Sequence, residues 1–156
     1  MYRITNRVYC ADAYPPACQE DLRCDGYRPP TERFCAGILR TKVGTVLIYH
    51  TGRAVINKCR TKKDMRKTVV LCATELGILL HNIKLVHIAG CGDLHTRVDL
   101  NKMSTIVPRG LYEADLHPGL HFYIGNVSVY MYHNGKLMFA GYRSICQFKY
   151  TIHFID

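Results

Sequence analysis

The apolar residues of the chain fall in short runs separated by glycine, asparagine and proline, and the runs differ in period. Two segments, TVLIYHTGRAVINKCR from Thr45 and SVYMYHNGKLMFAGYR from Ser128, align without gaps at a constant offset of 83 residues. Val46/Val129, Tyr49/Tyr132, His50/His133, Gly52/Gly135 and Arg60/Arg143 recur in register, and Arg53/Lys136 keeps a charge. This reads as a tandem duplication. Each copy predicts a β-hairpin. His133-Asn134-Gly135-Lys136 places Asn-Gly at a tight turn, where both residues tolerate positive φ, and His50-Thr51-Gly52-Arg53 is a weaker version of it. The flanking runs are rich in Val, Ile, Tyr and Phe, as strands prefer. Their apolar residues do not alternate with polar ones: Val46 and Ile48 point one way, Leu47 and Tyr49 the other. Both faces of the sheet are therefore expected to be covered or bound.

A helix follows the first hairpin. Thr61 and Asp64 have capping-box spacing, Met65, Val69, Cys72, Ala73 and Leu76 fall on one helical face, and Gly77 offers a C-cap. After Arg143 the chain reads SICQFKYTIHFID. Tyr150, Ile152 and Phe154 alternate there with Thr151 and His153, which predicts a strand and leaves the second copy without its helix. Ile83–Ala89 reads as a strand, Leu100–Val107 as a short helix ended by Pro108, and residues 10–32, with Pro15, Pro16, Pro29 and Pro30, as a loop with at most a short helix. The domain reading is a first repeat over 1–81 with a loop insertion at about 10–32, and a second over 82–156 cut short at its C-terminus.

Composition narrows the function. The 156 residues carry 21 Lys+Arg against 12 Asp+Glu, a formal net charge of +9, which favours an acidic partner, nucleic acid first. No apolar run is long enough to span a membrane. The first ten residues lack an apolar core, so no secretory signal is expected and the eight cysteines (10, 18, 24, 35, 59, 72, 91, 146) are read as thiols. Cys10, Cys18, Cys24 and Cys35 lack the paired spacing of structural zinc sites, and His50 and His133 are explained by their turn positions. No metal or cofactor is expected. There is no Gly-rich phosphate loop, H-E-x-x-H or G-x-S-x-G, and Asp93 with His95 lacks a matching nucleophile, so an enzyme is not expected.

Five stretches resemble the TATA-box-binding protein family: RFCAGILR at Arg33, VLIYHTGRAV at Val46, TELG at Thr74, DLHPGLHFY at Asp115 and YHNGKLMFAGYR at Tyr132. They are similar to that family's RFAAVIMR, ALIFSSGKMV, QKLG, ELFPGLIYR and IFVSGKVVLTGAK. The shared order runs from about Arg3 to Arg143. The resemblance implies an α+β saddle of two pseudo-symmetric repeats, a curved antiparallel sheet with helices on its convex face and DNA on its concave face. A short, divergent chain of this kind is also reminiscent of viral homologues, which would place it in viral late gene expression, in the host nucleus or a cytoplasmic viral factory.

By the same resemblance, Phe34, Tyr49, His117 and Tyr132 stand at the wedge positions that unstack base steps and bend DNA. Arg3 and His87 stand where the family has a groove-reading asparagine in each repeat. Leu47, Val55 and Asn57 with Tyr130, Met138 and Ala140 form the groove floor. Arg40, Arg53, Lys136, Arg60 and Arg143 match phosphate-contacting cations, and Tyr123 replaces one. The run Arg60, Lys62, Lys63, Arg66, Lys67 sits at the helix end that disfavours cations, at about 0.3–1 kcal/mol each, and is read as either a solvated face or a partner-docking surface. The implied function is a non-enzymatic initiation factor on T·A-rich promoter minor groove, working with a factor-IIB-like protein and RNA polymerase. Two rivals keep the fold: an interaction module or homodimer whose concave face binds protein, and an accessory module that holds nucleic acid for an enzyme.

Overall fold

A computed structural model of the chain describes residues 1–16 and 24–155. It is α+β: antiparallel strand ladders with three helices. The chain divides into two compact units, one of Asn6–Val86 and one of Met1–Thr5 with His87–Asp156.

The first unit carries the sheet order β2-β3-β4-β5-β1-β6. Its strands are β1 (Arg3–Tyr14, from Asn6 on), β2 (Tyr27–Arg28), β3 (Ala36–Arg40), β4 (Thr45–Tyr49), β5 (Arg53–Cys59) and the first half of β6 (Leu79–Asp93). Strand period two sorts the side chains. Tyr9, Ala11, Leu39, Val46, Ile48, Ala54 and Ile56 are buried in one core with Met65, Cys72 and Leu76 of helix α1 (Lys62–Leu76). The capping box that starts α1 is formed: Asp64 N donates to Thr61 Oγ1 at 3.0 Å and Thr61 N to Asp64 Oδ2 at 2.9 Å. Thr68, outside the apolar pattern, is also fully buried, because its hydroxyl donates to Asp64 O at 2.9 Å. The expected 10–32 loop is shorter than the prolines suggested: residues 10–14 continue β1, since Tyr9, Ala11 and Ala13 alternate into the core. Cys18 lies outside the described residues.

The second unit carries the order β1-β6-β9-β8-β7, with β7 (Gly119–Ile124), β8 (Val127–Tyr132) and β9 (Lys136–Tyr142). Leu120, Phe122, Val129, Met131, Leu137 and Phe139 form its buried face. Helix α2 (Leu100–Ile106) is capped by Asp99, whose carboxylate accepts from Lys102 N at 3.1 Å. The tail corrects the sequence reading. Residues Ile145–Ile155 form a third helix, α3, and the second repeat keeps its helix. The alternation at 150–154 misled because α3 is anchored elsewhere, through buried Phe148 and Thr151 at helical spacing. Its start is a polar cap: Gln147 N donates to Ser144 Oγ at 3.2 Å, and Arg143 N donates to Gln147 Oε1 at 3.1 Å. Phe148 packs edge-on against Phe139 and Tyr142, with ring centroids 6.3 and 5.1 Å away.

The duplicated hairpins keep matching turns. Gly52 N donates to Tyr49 O at 3.0 Å and Gly135 N to Tyr132 O at 2.9 Å, with φ of 78° and 79°. Both copies also carry a ladder irregularity one residue past the floor, at Lys58 (φ 60°) and Gly141 (φ 104°). Left-handed backbone at a bulge suits glycine, and Lys58 adopts it at a cost.

Candidate nucleic-acid interface

One face of each unit is packed by helix and the other is open, which resolves the two-sided apolar pattern. In the first unit the open face is built from a cross-strand row: Ile38 opposes Leu47, Leu47 opposes Val55, and Val55 opposes Cys10. All four are partly accessible, whereas the residues alternating with them are buried. In the second unit His121 opposes Tyr130, Tyr130 opposes Met138, and Met138 opposes Cys91. The rows are equivalent, since His121, Tyr130 and Met138 lie 83 residues beyond Ile38, Leu47 and Val55. Leu47, Val55, Asn57, Tyr130, Met138 and Ala140 therefore all lie on open faces, as their sequence positions implied, and Met138 is 53% exposed.

The ladders correct one equivalence. Cys10 faces Val55 and Cys91 faces Met138, so the offset between β1 and β6 is 81 residues, not 83 or 84. The counterpart of His87 is therefore Asn6, and Arg3 corresponds to Lys84. Asn6 shares the open face with Val8 and Cys10 by strand period. Its Oδ1 is buried without a hydrogen-bond partner, and so is that of Asn57. Sequence reasoning missed Asn6 although the signal was present: Cys-x-Asp recurs at Cys10/Asp12 and Cys91/Asp93. Arg3 itself is exposed, and its Nε donates to Cys91 Sγ at 3.4 Å.

The wedge positions differ between the units. Phe34 is 42% exposed, held by a tight loop in which Phe34 N and Thr31 N donate to each other's carbonyl at 3.0 and 2.8 Å. Tyr49 is half-buried opposite Ala36. In the second unit His117 is tethered. Gly119 N donates to its Nδ1 at 3.0 Å, and its ring lies 5.1 Å from Tyr130 and 6.0 Å from Tyr132. His121 stacks on Tyr130 at 4.5 Å with 17° between planes, and Tyr123 meets it edge-on at 4.8 Å. The first unit thus presents a free phenyl ring, and the second a packed layer of polar aromatics.

The cations fall into two groups. Arg53 and Lys136 open β5 and β9, each directly opposite an aspartate, Asp12 and Asp93. The Asp12 carboxyl is held below the usual carboxylate value, first by the hydrogen bond from Asn82 (2.8 Å) and then by nearby cations including Arg53. Arg40 is placed differently from the groove role implied for it. It lines a cleft of about 870 Å³ beside α1 with Lys42, Lys63, Arg66 and Lys67, over an apolar floor of Leu39 and Val70. Arg60 precedes the Thr61 cap, and Lys62 is exposed on α1. Among the described residues none of these cations forms an ion pair.

Comparison with known proteins agrees with this geometry. Residues 82–155 match the family model described as Transcription factor TFIID (or TATA-binding protein, TBP). The chain is 27% identical over 132 residues to TATA-box-binding protein-like 1 of Entamoeba histolytica, covering 78% of this chain and 60% of that protein. It is 26% identical over 135 residues to the TATA-box-binding protein of Pyrobaculum islandicum, covering 80% of this chain and 67% of the relative. Against the Pyrobaculum calidifontis protein it spans 54% of the relative's length. The solved structure of Methanococcus jannaschii TBP matches with a TM-score of 0.83 at 20% identity, over 99% of this chain and 95% of that one. By fold over its whole length, and by family model over residues 82–155, the chain is TATA-binding-protein-like.

Proposed function

We propose that the chain is a non-enzymatic transcription factor whose open sheet faces bind the minor groove of T·A-rich promoter DNA, and that it helps assemble an initiation complex with factor-IIB-like and polymerase partners. The observation that carries this reading is the pair of equivalent open rows, Ile38–Leu47–Val55–Cys10 and His121–Tyr130–Met138–Cys91, in a TATA-binding-protein-like fold. An apolar, accessible strand face suits the minor groove, whose A·T edges present acceptors but no protruding amino group. Phe34 with Tyr49 is the wedge pair best able to enter a base step, and tethered His117 opposes a kink at its own end. Asn6, Asn57 and His87 are the polar readers of the floor, Arg53 and Lys136 neutralise phosphates, and Arg60, Lys62, Lys63, Arg66 and Lys67 with Arg40 form the partner surface around the α1 cleft.

The test is direct binding by fluorescence anisotropy. T·A-rich duplex binds more tightly than G·C-rich duplex of equal length, because deformable T·A steps lower the cost of widening the groove. Equal affinity for the two refutes the reading.

A further inference from the structure

At the outer edge of the second unit the chain builds a pocket that the duplex-binding face does not use. Leu111 forms a bridge with His121, donating and accepting at 2.8 and 2.9 Å, and so extends the sheet beyond β7. The loop from Glu113 to His117 then turns back, with Leu116 N and His117 N donating to Glu113 O at 3.0 and 2.9 Å. Between these walls lies a cleft of about 210 Å³ lined by Leu111, Glu113, Leu116, His117, His121 and Tyr130, with Gly119 at its base. Its size admits one heterocyclic ring and not a base pair.

The lining has three features that converge on one ligand class. The first is ring surface: His117, His121 and Tyr130 are mutually packed and fixed in place, offering π-faces without further ordering cost. The second is unused apolar surface at the mouth, where Leu116 is 80% and Leu111 57% exposed. The third is one carboxylate, Glu113, whose side chain forms no ion pair or hydrogen bond among the described residues. A planar ring stacked there, with N–H donors on one edge, would satisfy all three. We infer that this pocket takes a single unstacked nucleobase of a single-stranded nucleic acid, and that Glu113 selects guanine. Guanine alone among the standard bases presents an imino N–H and an amino N–H side by side, the match for a bidentate carboxylate. The inference needs no duplex binding.

The experiment uses the full chain and end-labelled single-stranded heptamers, TTTGTTT, TTTATTT and TTTTTTT, read by anisotropy. The guanine heptamer is expected to bind about tenfold more tightly than the other two. Glu113→Gln abolishes that preference and leaves all-thymine binding unchanged, and Leu116→Ala weakens all three. Duplex affinity, measured in parallel, is unchanged by Glu113→Gln, so failure of the pocket and failure of duplex binding are distinguishable. Equal affinity for the three heptamers, or a guanine preference that survives in Glu113→Gln, overturns the inference.

Discussion

Replacing Phe148 by alanine removes the main anchor of α3. Phe148 is 5% exposed, and the other fully buried side chain described in α3 is Thr151. Burying a phenyl ring contributes about 1.5–3 kcal/mol. The two edge-on contacts with Phe139 and Tyr142 add about 0.5–1.5 kcal/mol each, and the vacated space cannot collapse freely between a strand and a helix. Phe148→Ala is therefore expected to cost about 3–5 kcal/mol, in the usual range for a buried phenylalanine. Gly90 gives the internal check. A Cβ there would lie 2.5 Å from Phe148 Cε2 and 2.9 Å from Arg3 O. Gly90→Ala alone is expected to destabilise by about 1–3 kcal/mol through overpacking. In the Phe148→Ala background only the Arg3 clash remains, so the two effects are less than additive by about 1 kcal/mol. Urea unfolding monitored by circular dichroism measures all four proteins. A Phe148→Ala loss below about 1 kcal/mol, or full additivity with Gly90→Ala, refutes the docked helix.

Three further outcomes follow from particular contacts. Thr61→Ala is expected to cost about 1 kcal/mol as a lost N-cap. Hydrogen bonds from Thr61 and Asn82 hold Asp64 and Asp12 below the usual carboxylate value, so their stabilisation is present at neutral pH and is lost as pH falls through and below that value; acid titration of stability should be flatter in Asp64→Asn. Burial pushes the Cys72 thiol up to about 11 and raises that of Cys59, so peptide mapping after brief alkylation should find exposed Cys35 and Cys146 modified and these two protected until unfolding. Arg53→Ala and Lys136→Ala should each reduce the slope of log affinity against log salt for duplex by about 0.9.

The duplication, both hairpin turns, the α1 capping box and the open-face floor were legible in the sequence because each rests on local chemistry: Asn-Gly backbone preference, a Thr-x-x-Asp pair, and strand period two. Two features were not legible. Helix α3 presents the alternation of a strand from Tyr150 to Phe154, while its cap (Ser144, Gln147) and its anchor (Phe148) lie earlier, so a short window reads the wrong period. Asn6 was hidden because β5 and β9 carry bulges at Lys58 and Gly141, and the hairpins therefore repeat at 83 residues while the strands beside them repeat at 81. Only the ladder register separates the two offsets. The tethering of His117 depends on Gly119 N, Tyr130 and Tyr132, which meet only after folding.

The central claim is that the open faces read DNA from the minor groove. Replacing the T·A pairs of a bound duplex by inosine·cytosine changes the major-groove edge to that of G·C but keeps the minor groove free of the guanine amino group. Anisotropy titration of the T·A, inosine·cytosine and G·C duplexes, matched in length, tests the claim. The inosine·cytosine duplex is predicted to bind like T·A and more tightly than G·C. An inosine·cytosine duplex that binds only as weakly as G·C, while T·A remains tight, contradicts it.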